Sequence, residues 1–393
     1  MRILHAMPVY APAWQFGGPV LSVSRLCEAL VDQGVEVDVI TTNAGLPNMS
    51  DMDLGHPVLR NGVRVTYYPV DRKNSRISSK ALEKALPETL SKADLLHISG
   101  IWQPLGIPIQ RAAVLQHLPV LHSLRGALGP YSFQQGWWKK VPYYLLRERP
   151  LLQQVAGLHV TSQQELEELK GLRLQAPKYV LPNPMDLNHL RPDACERKKW
   201  REQLGIKDQE RLLLICGRQH HKKGLDLLPD VLAACQGHPW RLLLVGSDDD
   251  GSGAELTKAL HKRRLGDRIL DLPTLPAETL GGIYNAADLL LLPSRHENFG
   301  NVVIEALACG CAVAISAKTG VSGDLLEAAP QDYGVVLPRK AKNWVQWLNR
   351  WLDQPQPSAR AATRWASERY GQAAVAKQAV ELYKNILQTY PQE

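Results

Sequence analysis

The stretch LLLLPSRHENFGNVVIEALACG, residues 289–310, decides the fold. It begins with four leucines, 289–292, a continuous apolar run typical of a strand buried on both faces, and Pro293 ends that run. A polar loop follows, and a helix is predicted from about Asn301 to Gly310, since glycine is common just after a helix. A buried strand that leads through a loop into a helix is where open α/β sheets bind ligands.

Two glutamates frame this loop and helix. Glu297 lies on the loop and Glu305 on the second turn of the predicted helix, with seven residues between them. The backbone amides at a helix start favour an anion, especially a diphosphate. The pair could therefore hold the two ends of one ligand whose middle lies on the helix start. The alternative is a solvated glutamate on a surface helix, and the motif alone does not decide between the two.

Strands and helices alternate through the rest of the chain. Strands are predicted in the first half at 2–6, 35–41, 94–98, 120–122, 158–161 and 179–181, with helices at 19–33, 79–92, 107–117 and 162–170. The pattern is interrupted at 182–184 and by the polar run 191–203, and it begins afresh at residue 211. The sequence therefore predicts two parallel sheets with helices on both faces. The predicted domains are 1–183 and 184–372, with a C-terminal helix at 373–393.

The bulk composition narrows the possible functions. The chain has 393 residues, 45% of them hydrophobic and 22% charged, as expected for a soluble protein of two domains. It has no membrane-spanning apolar run and no signal peptide, so a cytoplasmic location is predicted. Its six cysteines lack the spacing of a metal site. The net charge of +7 favours anionic ligands or surfaces, but no nucleic-acid-binding motif is present.

Three further loops follow predicted strands. Gly17-Gly18-Pro19 opens the first helix, where glycine permits close approach of a ligand, although a simple turn explains it equally well. The loop 217–224, GRQHHKKG, contains Arg218 and Lys223, which suit a pyrophosphate; the alternative is a basic surface loop. The acidic loop 248–251 could in principle bind Mg²⁺, but consecutive acidic loop residues are usually solvated, so no metal is predicted.

Together these segments resemble the GT-B glycosyltransferases, in particular glycosyltransferase family 4, over nearly the whole chain. The most specific match is the Glu-x7-Glu motif from Glu297 to Glu305. The segment 217–224 is similar to the diphosphate-binding segment of the family. The segment 181–186, LPNPMD, resembles its interdomain segment, with Pro184 where glycine is common.

The resemblance implies a role for each matching residue. Glu297 would bind hydroxyls of the donor sugar and Glu305 the ribose of the nucleotide, while Arg218 and Lys223 would neutralise the departing diphosphate. Further donor contacts are implied for Gly17, Gly18, Asn298, Phe299, Gly300, Asn301 and Val302. The family implies retention of anomeric configuration with neither metal nor cofactor, so that a cationic pocket stabilises the leaving group.

The sequence departs from the family pattern at two places. Arg125 stands where the family often has a histidine, and His122 lies three residues earlier, so either could orient the acceptor. The segment 319–324, TGVSGD, replaces the usual Gly-Gly-x-x-Glu, with Asp324 near the position of the glutamate.

The segment 136–149, GWWKKVPYYLLRER, mixes aromatic and basic residues on a predicted helix. That composition suits a helix lying on an anionic membrane. The alternative is a helix that packs its apolar side chains in the core while its cationic side chains reach solvent.

The sequence thus predicts an α/β protein of GT-B architecture, with two doubly wound Rossmann-like domains facing a central cleft and a C-terminal helix crossing back to the first. Its expected function is transfer of a sugar from a nucleotide diphosphate sugar to a saccharide or lipid-linked acceptor, in cell-surface polysaccharide synthesis. The expected location is the cytoplasm, with possible attachment to the inner membrane face. The alternatives are a nucleotide-sugar epimerase of the same architecture and a non-catalytic nucleotide-sugar-binding subunit.

Overall fold

The computed structural model describes residues 1–46, 53–71, 76–134, 136–355 and 360–391. The chain divides into two compact units, Met1–Pro184 with Gln372–Glu393, and Met185–Gly371. Each unit is built on a largely parallel sheet with helices between successive strands. Among the described residues, no helix is both long and apolar enough to cross a membrane.

The first unit is a doubly wound sheet. Its strands are β1 (Arg2–Val9), β2 (Glu36–Thr42), β3 (Pro57–Arg60), β4 (Val63–Tyr68), β5 (Leu95–Ser99), β6 (Val120–Ser123), β7 (Gly157–Val160) and β8 (Lys178–Val180). Its helices before the domain boundary are α1 (Gly18–Asp32), α2 (Lys80–Leu90), α3 (Gly106–Leu115), α4 (Pro130–Gln134), α5 (Trp137–Tyr143), α6 (Arg149–Leu152) and α7 (Gln163–Glu168). Across the described residues the strand order is β3-β4-β2-β1-β5-β6-β7-β8, and β3 runs antiparallel to β4.

The hairpin of β3 and β4 was not predicted. Its two strands are joined by Asn61 and Gly62, whose φ angles are 46° and 82°. Two successive positive φ angles are what a two-residue turn needs to match the twist of a hairpin, and Asn-Gly is the dipeptide that best adopts them. The Asn-Gly dipeptide between apolar stretches was therefore the signal that could have located this hairpin.

The second unit repeats the architecture. Its strands are β9 (Arg211–Cys216), β10 (Trp240–Val245), β11 (Ile269–Leu272), β12 (Leu289–Leu292), β13 (Ala312–Ser316) and β14 (Gly334–Leu337). Its helices are α8 (Ala194–Gln203), α9 (Leu228–Ala234), α10 (Ser252–Lys262), α11 (Ala277–Ala286), α12 (Asn301–Ala308), α13 (Ser322–Ala328), α14 (Ala341–Asp353) and α15 (Arg360–Tyr370). Over the described part of the chain, its six strands are parallel in the order β11-β10-β9-β12-β13-β14.

The last helix, α16 (Gln372–Thr389), returns to the first unit and packs against α1. Its buried side chains fall at helical spacing: Val375, Ala376, Ala379, Tyr383 and Ile386. The predicted GT-B fold class, with its returning helix, is confirmed.

The polar run 191–203, predicted only as a boundary, contains α8. The carboxylate of Asp193 caps this helix, accepting hydrogen bonds from the amides of Cys195 at 2.9 Å and Glu196 at 3.0 Å. The helix packs against α11, although it has no apolar stripe. The prediction missed it because its attachment depends on charged side chains, which a search for apolar periodicity does not detect.

Asp288 provides that attachment. It is 3% exposed, and its carboxylate lies 2.5 Å from Arg197 Nη2 and 3.2 Å from Arg201 Nη1. It also accepts the amide N–H of Leu212 at 2.7 Å, at the start of β9. One buried carboxylate therefore joins α8 to the central strand of the second sheet.

We expect Asp288→Asn to lower the free energy of unfolding by about 3 kcal/mol, because two partly buried guanidinium groups lose their counter-charge. Chemical denaturation of the second unit, followed by circular dichroism, measures this change. Asp230→Asn is the matched control, since Asp230 forms an exposed ion pair with Arg263, and its loss should cost under about 1 kcal/mol. Equal losses in the two variants would contradict the assigned role of Asp288.

Candidate functional site

The predicted donor residues of the second unit follow the carboxyl ends of β9 and β12. In its strand order, β9 and β12 are neighbours at the centre of the sheet. After β9 the chain adds β10 and β11 on one side, and after β12 it adds β13 and β14 on the other. That reversal is the topological switch point, where doubly wound sheets leave a crevice for ligands. The stretch 289–310 supplies one side of this crevice.

The loop after β12 is held against the loop after β13. The amide of Glu297 donates to the carbonyl of Lys318 at 2.9 Å, and the amide of Gly320 donates back to the carbonyl of Glu297 at 2.9 Å. A Cβ atom at Gly320 would overlap the carbonyl of Asn298, so glycine is required for this close approach. The backbone that presents Glu297 is therefore fixed on both sides.

Gly300 begins α12 in a left-handed conformation, with φ of 102°. The helix then runs for eight residues from Asn301, and Phe299 is buried beneath the loop with 4% exposure. The N-terminal amides of a helix lack acceptors within the helix, and its dipole is positive at that end. The backbone near Asn301 and Val302 thus has the polarity that a diphosphate needs.

Lys223 and Glu297 are brought together. Lys223 Nζ lies 2.6 Å from Glu297 Oε2, and their side chains are 19% and 26% exposed. Their loops also meet through the backbone, where the amide of Arg295 donates to the carbonyl of Lys222 at 2.7 Å. The cation expected for the diphosphate and the carboxylate expected for the sugar therefore form one ion pair at the crevice.

Glu305 lies beside the end of β9. Its carboxylate accepts a hydrogen bond of 2.7 Å from the hydroxyl of Tyr284, which is buried on α11. The same hydroxyl lies 3.4 Å from Cys216 Sγ, and burial raises the pKa of that thiol to about 11. Tyr284 was not singled out from the sequence, because a tyrosine among apolar helix residues gives no signal beyond ordinary packing.

Arg218 has a different setting from Lys223. Its side chain is 80% exposed and lies 3.3 Å from Asp249 Oδ2. Among the described residues, no ion pair joins Arg218 to Glu297. Arg218 and Lys223 looked equivalent in sequence, but the fold encloses Lys223 far more than Arg218.

The acidic loop 248–251 is largely occupied by local bonds. Asp248 accepts the amides of Gly251 and Ala254, each at 2.9 Å, at the start of α10. Asp250 accepts the hydroxyl of Ser252 at 2.6 Å and the amide of His221 at 2.9 Å, and these bonds lower its pKa. The side chains of this loop therefore act as helix caps and turn acceptors.

One group in this region has the composition of a metal site: ligand atoms of His220, His221 and Asp250 lie within 4.8 Å of one another. His220 Nδ1, however, accepts the amide N–H of Lys222 at 3.2 Å. Its Nε2 then carries the proton of the neutral ring and has no lone pair to offer a cation. His220 therefore cannot accept the amide N–H of Lys222 and bind a metal ion at the same time.

An open pocket of about 610 Å³ lies beside the crevice, at the carboxyl ends of β10 and β11. It is lined by Gln219, Gly246, Asp248, Gly253, Ala254, Thr257, Lys258, His261, Asp271, Leu272 and Pro273. Gly246 has φ of 132°, and a Cβ atom there would overlap the carbonyl of Gly217. The loops after β9 and β10 therefore pack together with no side chain between them.

The remaining predicted residues belong to the first unit. Gly17, with φ of 80°, precedes α1, and Gly18 is its first residue. No atom lies within 4 Å of a Cβ built at either glycine, which leaves this side of the backbone open among the described residues. Trp14 and Phe16 in the preceding turn are 49% and 47% exposed.

Arg125 follows β6 in a left-handed conformation, with φ of 51°. Its Nη1 donates to Ser22 Oγ at 2.8 Å and to Asn183 Oδ1 at 3.1 Å, while its Nε is buried with no acceptor among the described atoms. Burial lowers the pKa of this guanidinium to about 10. Within the described part of the chain, Arg125 is thus a half-buried cation bonded only to neutral groups.

His122 is already engaged. Its Nε2 lies 2.9 Å from the carbonyl of Gly100, and its Nδ1 lies 3.1 Å from the side-chain amide of Gln110. Burial lowers the pKa of His122 to about 4, so its ring is neutral. Both nitrogens therefore have partners inside the unit, whereas Arg125 Nε has none among the described atoms.

Asp324 serves the packing of the second unit. Its carboxylate accepts the hydroxyl of Tyr370 at 2.6 Å and lies 2.9 Å from Arg369 Nη2. Asp324 therefore ties α13 to α15.

Two family models match the chain, one in each unit. The model described as "Glycosyl transferase 4-like domain" matches residues 17–184, and that described as "Glycosyl transferases group 1" matches residues 196–369. A D-inositol 3-phosphate glycosyltransferase of Jonesia denitrificans is 26% identical, over 94% of this chain and 92% of the relative. The 2-deoxystreptamine glucosyltransferase of Streptomyces kanamyceticus is also 26% identical, over 93% and 98%.

Among solved structures, Anabaena HepE in complex with UDP matches with a TM-score of 0.75 and 20% identity, over 98% of this chain and 100% of that chain. This structural likeness concerns the fold. Because family models match both units and the fold is that of the family, the chain belongs to the group 1 glycosyltransferases of family 4, with a GT-B fold.

Proposed function

We propose that this glycosyltransferase moves a sugar from a nucleotide diphosphate sugar to a hydroxyl of a saccharide or lipid-linked saccharide, with retention and without a metal ion. The observation that carries the proposal is the 2.6 Å pair of Lys223 Nζ and Glu297 Oε2 beside the start of α12. A cation for phosphate, a carboxylate for sugar hydroxyls and a helix start for an anion meet at one crevice. We place the reaction in the cytoplasm, in cell-surface polysaccharide synthesis.

The carboxyl edge of the second sheet is long enough for each part of the donor to lie at a separate position. Three strand spacings, about 14 Å, separate β10 from β13. The sugar would lie near Glu297, between the loops after β12 and β13, and the ribose near Glu305 at the end of β9. The nucleobase would then enter the pocket beside Gln219 and Leu272. The diphosphate between them would meet Lys223 and the start of α12.

The charge arrangement supports retention. Glu297 forms an ion pair with Lys223, and Glu305 accepts a hydrogen bond from Tyr284. We therefore assign both carboxylates of the motif to binding the donor. Lys223 would neutralise charge on the departing diphosphate as the glycosidic bond breaks. A phosphate oxygen of the leaving group would then take the proton of the acceptor hydroxyl. Attack on the face from which the diphosphate departs retains the anomeric configuration.

The first unit would bind the acceptor. Arg125, with its buried Nε, would orient a hydroxyl or an anionic group of the acceptor. The related enzymes are named for D-inositol 3-phosphate and 2-deoxystreptamine, which makes a polyhydroxylated ring a reasonable acceptor class.

We expect one nucleotide sugar to raise Tm in a thermal-shift screen, because a ligand at 100 times its Kd adds about 2.7 kcal/mol to the stability of the folded state. Glu297→Ala should remove the extra shift that the sugar gives, while the bare nucleoside diphosphate still binds. Glu278→Ala, at an exposed glutamate of α11, is the control and should behave like the wild type.

A screen in which no nucleotide sugar shifts the wild type would remove the donor assignment. A bound donor that forms an epimer without any acceptor would instead indicate an isomerase. A donor that binds but is never turned over, on any acceptor pool, would indicate a binding subunit.

A further inference from the structure

The segment 136–149 exposes large apolar side chains. It consists of α5, a π-helical turn at Tyr144–Glu148, and the start of α6. Four of its side chains are at least half exposed: Trp137 at 64%, Trp138 at 62%, Leu145 at 50% and Leu146 at 75%. All four lie in the stretch 137–146, so large apolar side chains are concentrated at one exposed part of the segment. We call these four side chains the outer face.

The opposite side of the segment is firmly packed. Tyr144 and Glu148, four residues apart, are each 4% exposed. The carboxylate of Glu148 accepts the amide of Trp102 at 3.2 Å, and the ring of Tyr144 lies 5.6 Å from that of Phe133. Burial raises the pKa of Glu148 to about 7. The outer face is therefore exposed on an anchored segment, and the core-facing alternative for its tryptophans is wrong.

The charged side chains that the segment exposes are cationic. Lys139, Lys140, Arg147 and Arg149 belong to the segment, whereas its one acidic residue, Glu148, is buried. Lys139 Nζ lies 4.5 Å from the centre of the Trp138 ring, so an exposed cation lies directly against the apolar surface. Tryptophan and leucine enter the headgroup region, while lysine and arginine attract anionic headgroups. We propose that the outer face docks on an anionic lipid bilayer.

A second copy of the chain fits this surface less well. A symmetric dimer would place the outer face against itself, because two-fold contacts use the same patch on both subunits. The cations of the segment would then oppose like charges with no exposed acid in the segment to balance them. A bilayer, in contrast, accommodates the tryptophans at its interface and also supplies anionic headgroups for the cations.

The position of the segment links docking to the acceptor side of the first unit. Glu148, on its inner side, borders a small cavity with Met7, Ser99 and Gly100, at the carboxyl ends of β1 and β5. Docking would hold this sheet edge one helix away from the lipid surface. The benefit of this position for a lipid-linked acceptor rests on the proposed function, whereas the docking of the outer face on a bilayer does not.

Co-sedimentation with vesicles tests the proposal without any substrate. The full chain should bind vesicles of phosphatidylcholine with added phosphatidylglycerol, and bind more weakly to phosphatidylcholine alone. The double variant Trp137→Ser/Trp138→Ser should weaken binding about tenfold or more. Lys139→Gln with Arg147→Gln should weaken it about thirtyfold at low salt and reduce the preference for anionic vesicles.

Leu115→Ser is the control, because Leu115 is an 81% exposed apolar residue outside the segment. It should bind like the wild type, and unchanged Tm values would show that all variants are folded. Absence of binding to anionic vesicles would overturn the proposal, as would binding that the tryptophan variant leaves intact. Self-association in gel filtration that the same variant abolishes, without vesicle binding, would assign the outer face to a second copy.

Discussion

Lys223→Met should lower kcat about 100- to 1000-fold, the usual cost of removing one group that stabilises transition-state charge. Lys223 is the predicted diphosphate cation that the fold half encloses at the crevice, with its side chain 19% exposed. A cation in such a setting interacts more strongly with developing charge than one in water, since the local dielectric is lower. Methionine keeps the length of the side chain and removes its charge.

Release of nucleoside diphosphate, measured as kcat and KM with the donor found by thermal shift, checks this expectation. Lys222→Met is the control: Lys222 is the neighbouring cation of the same turn, and its backbone bond to Arg295 does not depend on its side chain. A loss in kcat of Lys223→Met within about threefold of that control would contradict the role of Lys223. Because Arg218 is 80% exposed, Arg218→Met should cost less than Lys223→Met.

The difference between Lys223 and Arg218 was beyond sequence reasoning. Both follow β9 on one loop, and motif resemblance gave them one role. The structure distinguishes them through Glu297, which lies 74 positions from Lys223 in sequence and 2.6 Å away in space. Contacts of that kind depend on how the loops after β9 and β12 meet, and no local pattern contains this information.

The fold was predicted well where apolar periodicity carries it. The run 289–292 is the buried strand β12, and α12 begins at Asn301 as expected. The failures have particular causes. The helix α8 is attached by ion pairs of its arginines with Asp288 rather than by an apolar stripe. The π-helical turn at 144–148 cannot be recognised from residue composition. That turn belongs to the segment whose outward tryptophans sequence reasoning could not assign to surface or core.

A buried histidine network in the first unit was also invisible in sequence, because its members come from separate strands. His5 on β1 and His97 on β5 are register partners with ring centres 4.5 Å apart, and His159 on β7 lies 5.4 Å from His97. All three are at most 2% exposed. Ser123 on β6 lies between His97 and His159, and Tyr383 of α16 covers the group.

The hydrogen bonds of this network require neutral rings. His159 Nε2 donates to the carbonyl of Leu181 at 2.8 Å, so its Nδ1 must accept, and the hydroxyl of Ser123 donates to it. Ser123 Oγ then accepts from His97 Nε2 at 2.7 Å, and His97 Nδ1 accepts from the hydroxyl of Tyr383 at 2.8 Å. Each neutral ring here donates once and accepts once. A proton added to His97 or His159 would require the hydroxyl of Tyr383 or Ser123 to turn and accept instead of donate, which changes this order.

Burial lowers the pKa of His5 and of His159 to about 3, and that of His97 well below its usual range. Burial also lowers the pKa of His122 to about 4. The positive charge of Arg125 lowers the values of His5, His97 and His159 further. Unfolded histidine has a pKa near 6.5, so below that pH the unfolded chain binds more protons than the folded chain. The histidines therefore do not destabilise the folded state above pH 6.5. Below that pH, the free energy of unfolding decreases as the pH falls toward the pKa values of the folded state.

We accordingly expect the first unit to unfold near pH 5. His5, His122 and His159 each contribute about 2 kcal/mol of destabilisation at that pH and His97 adds to this, so the sum approaches the whole stability of an ordinary domain. Thermal melts between pH 7.5 and 5, followed by circular dichroism, measure the slope. His5→Leu should reduce that slope by about 1 kcal/mol per pH unit, because one titrating ring is removed.

His56→Gln, at an exposed histidine, is the matched control and should leave the slope unchanged. A first unit equally stable at pH 7 and pH 5, or a slope that His5→Leu does not alter, would show that the rings bind protons without cost. That result would contradict the neutral state of the buried rings on which the expected acid sensitivity rests. Tyr383 lies on the carboxyl-terminal helix and donates to His97, so protonation of His97 would weaken one attachment of that helix to the first unit.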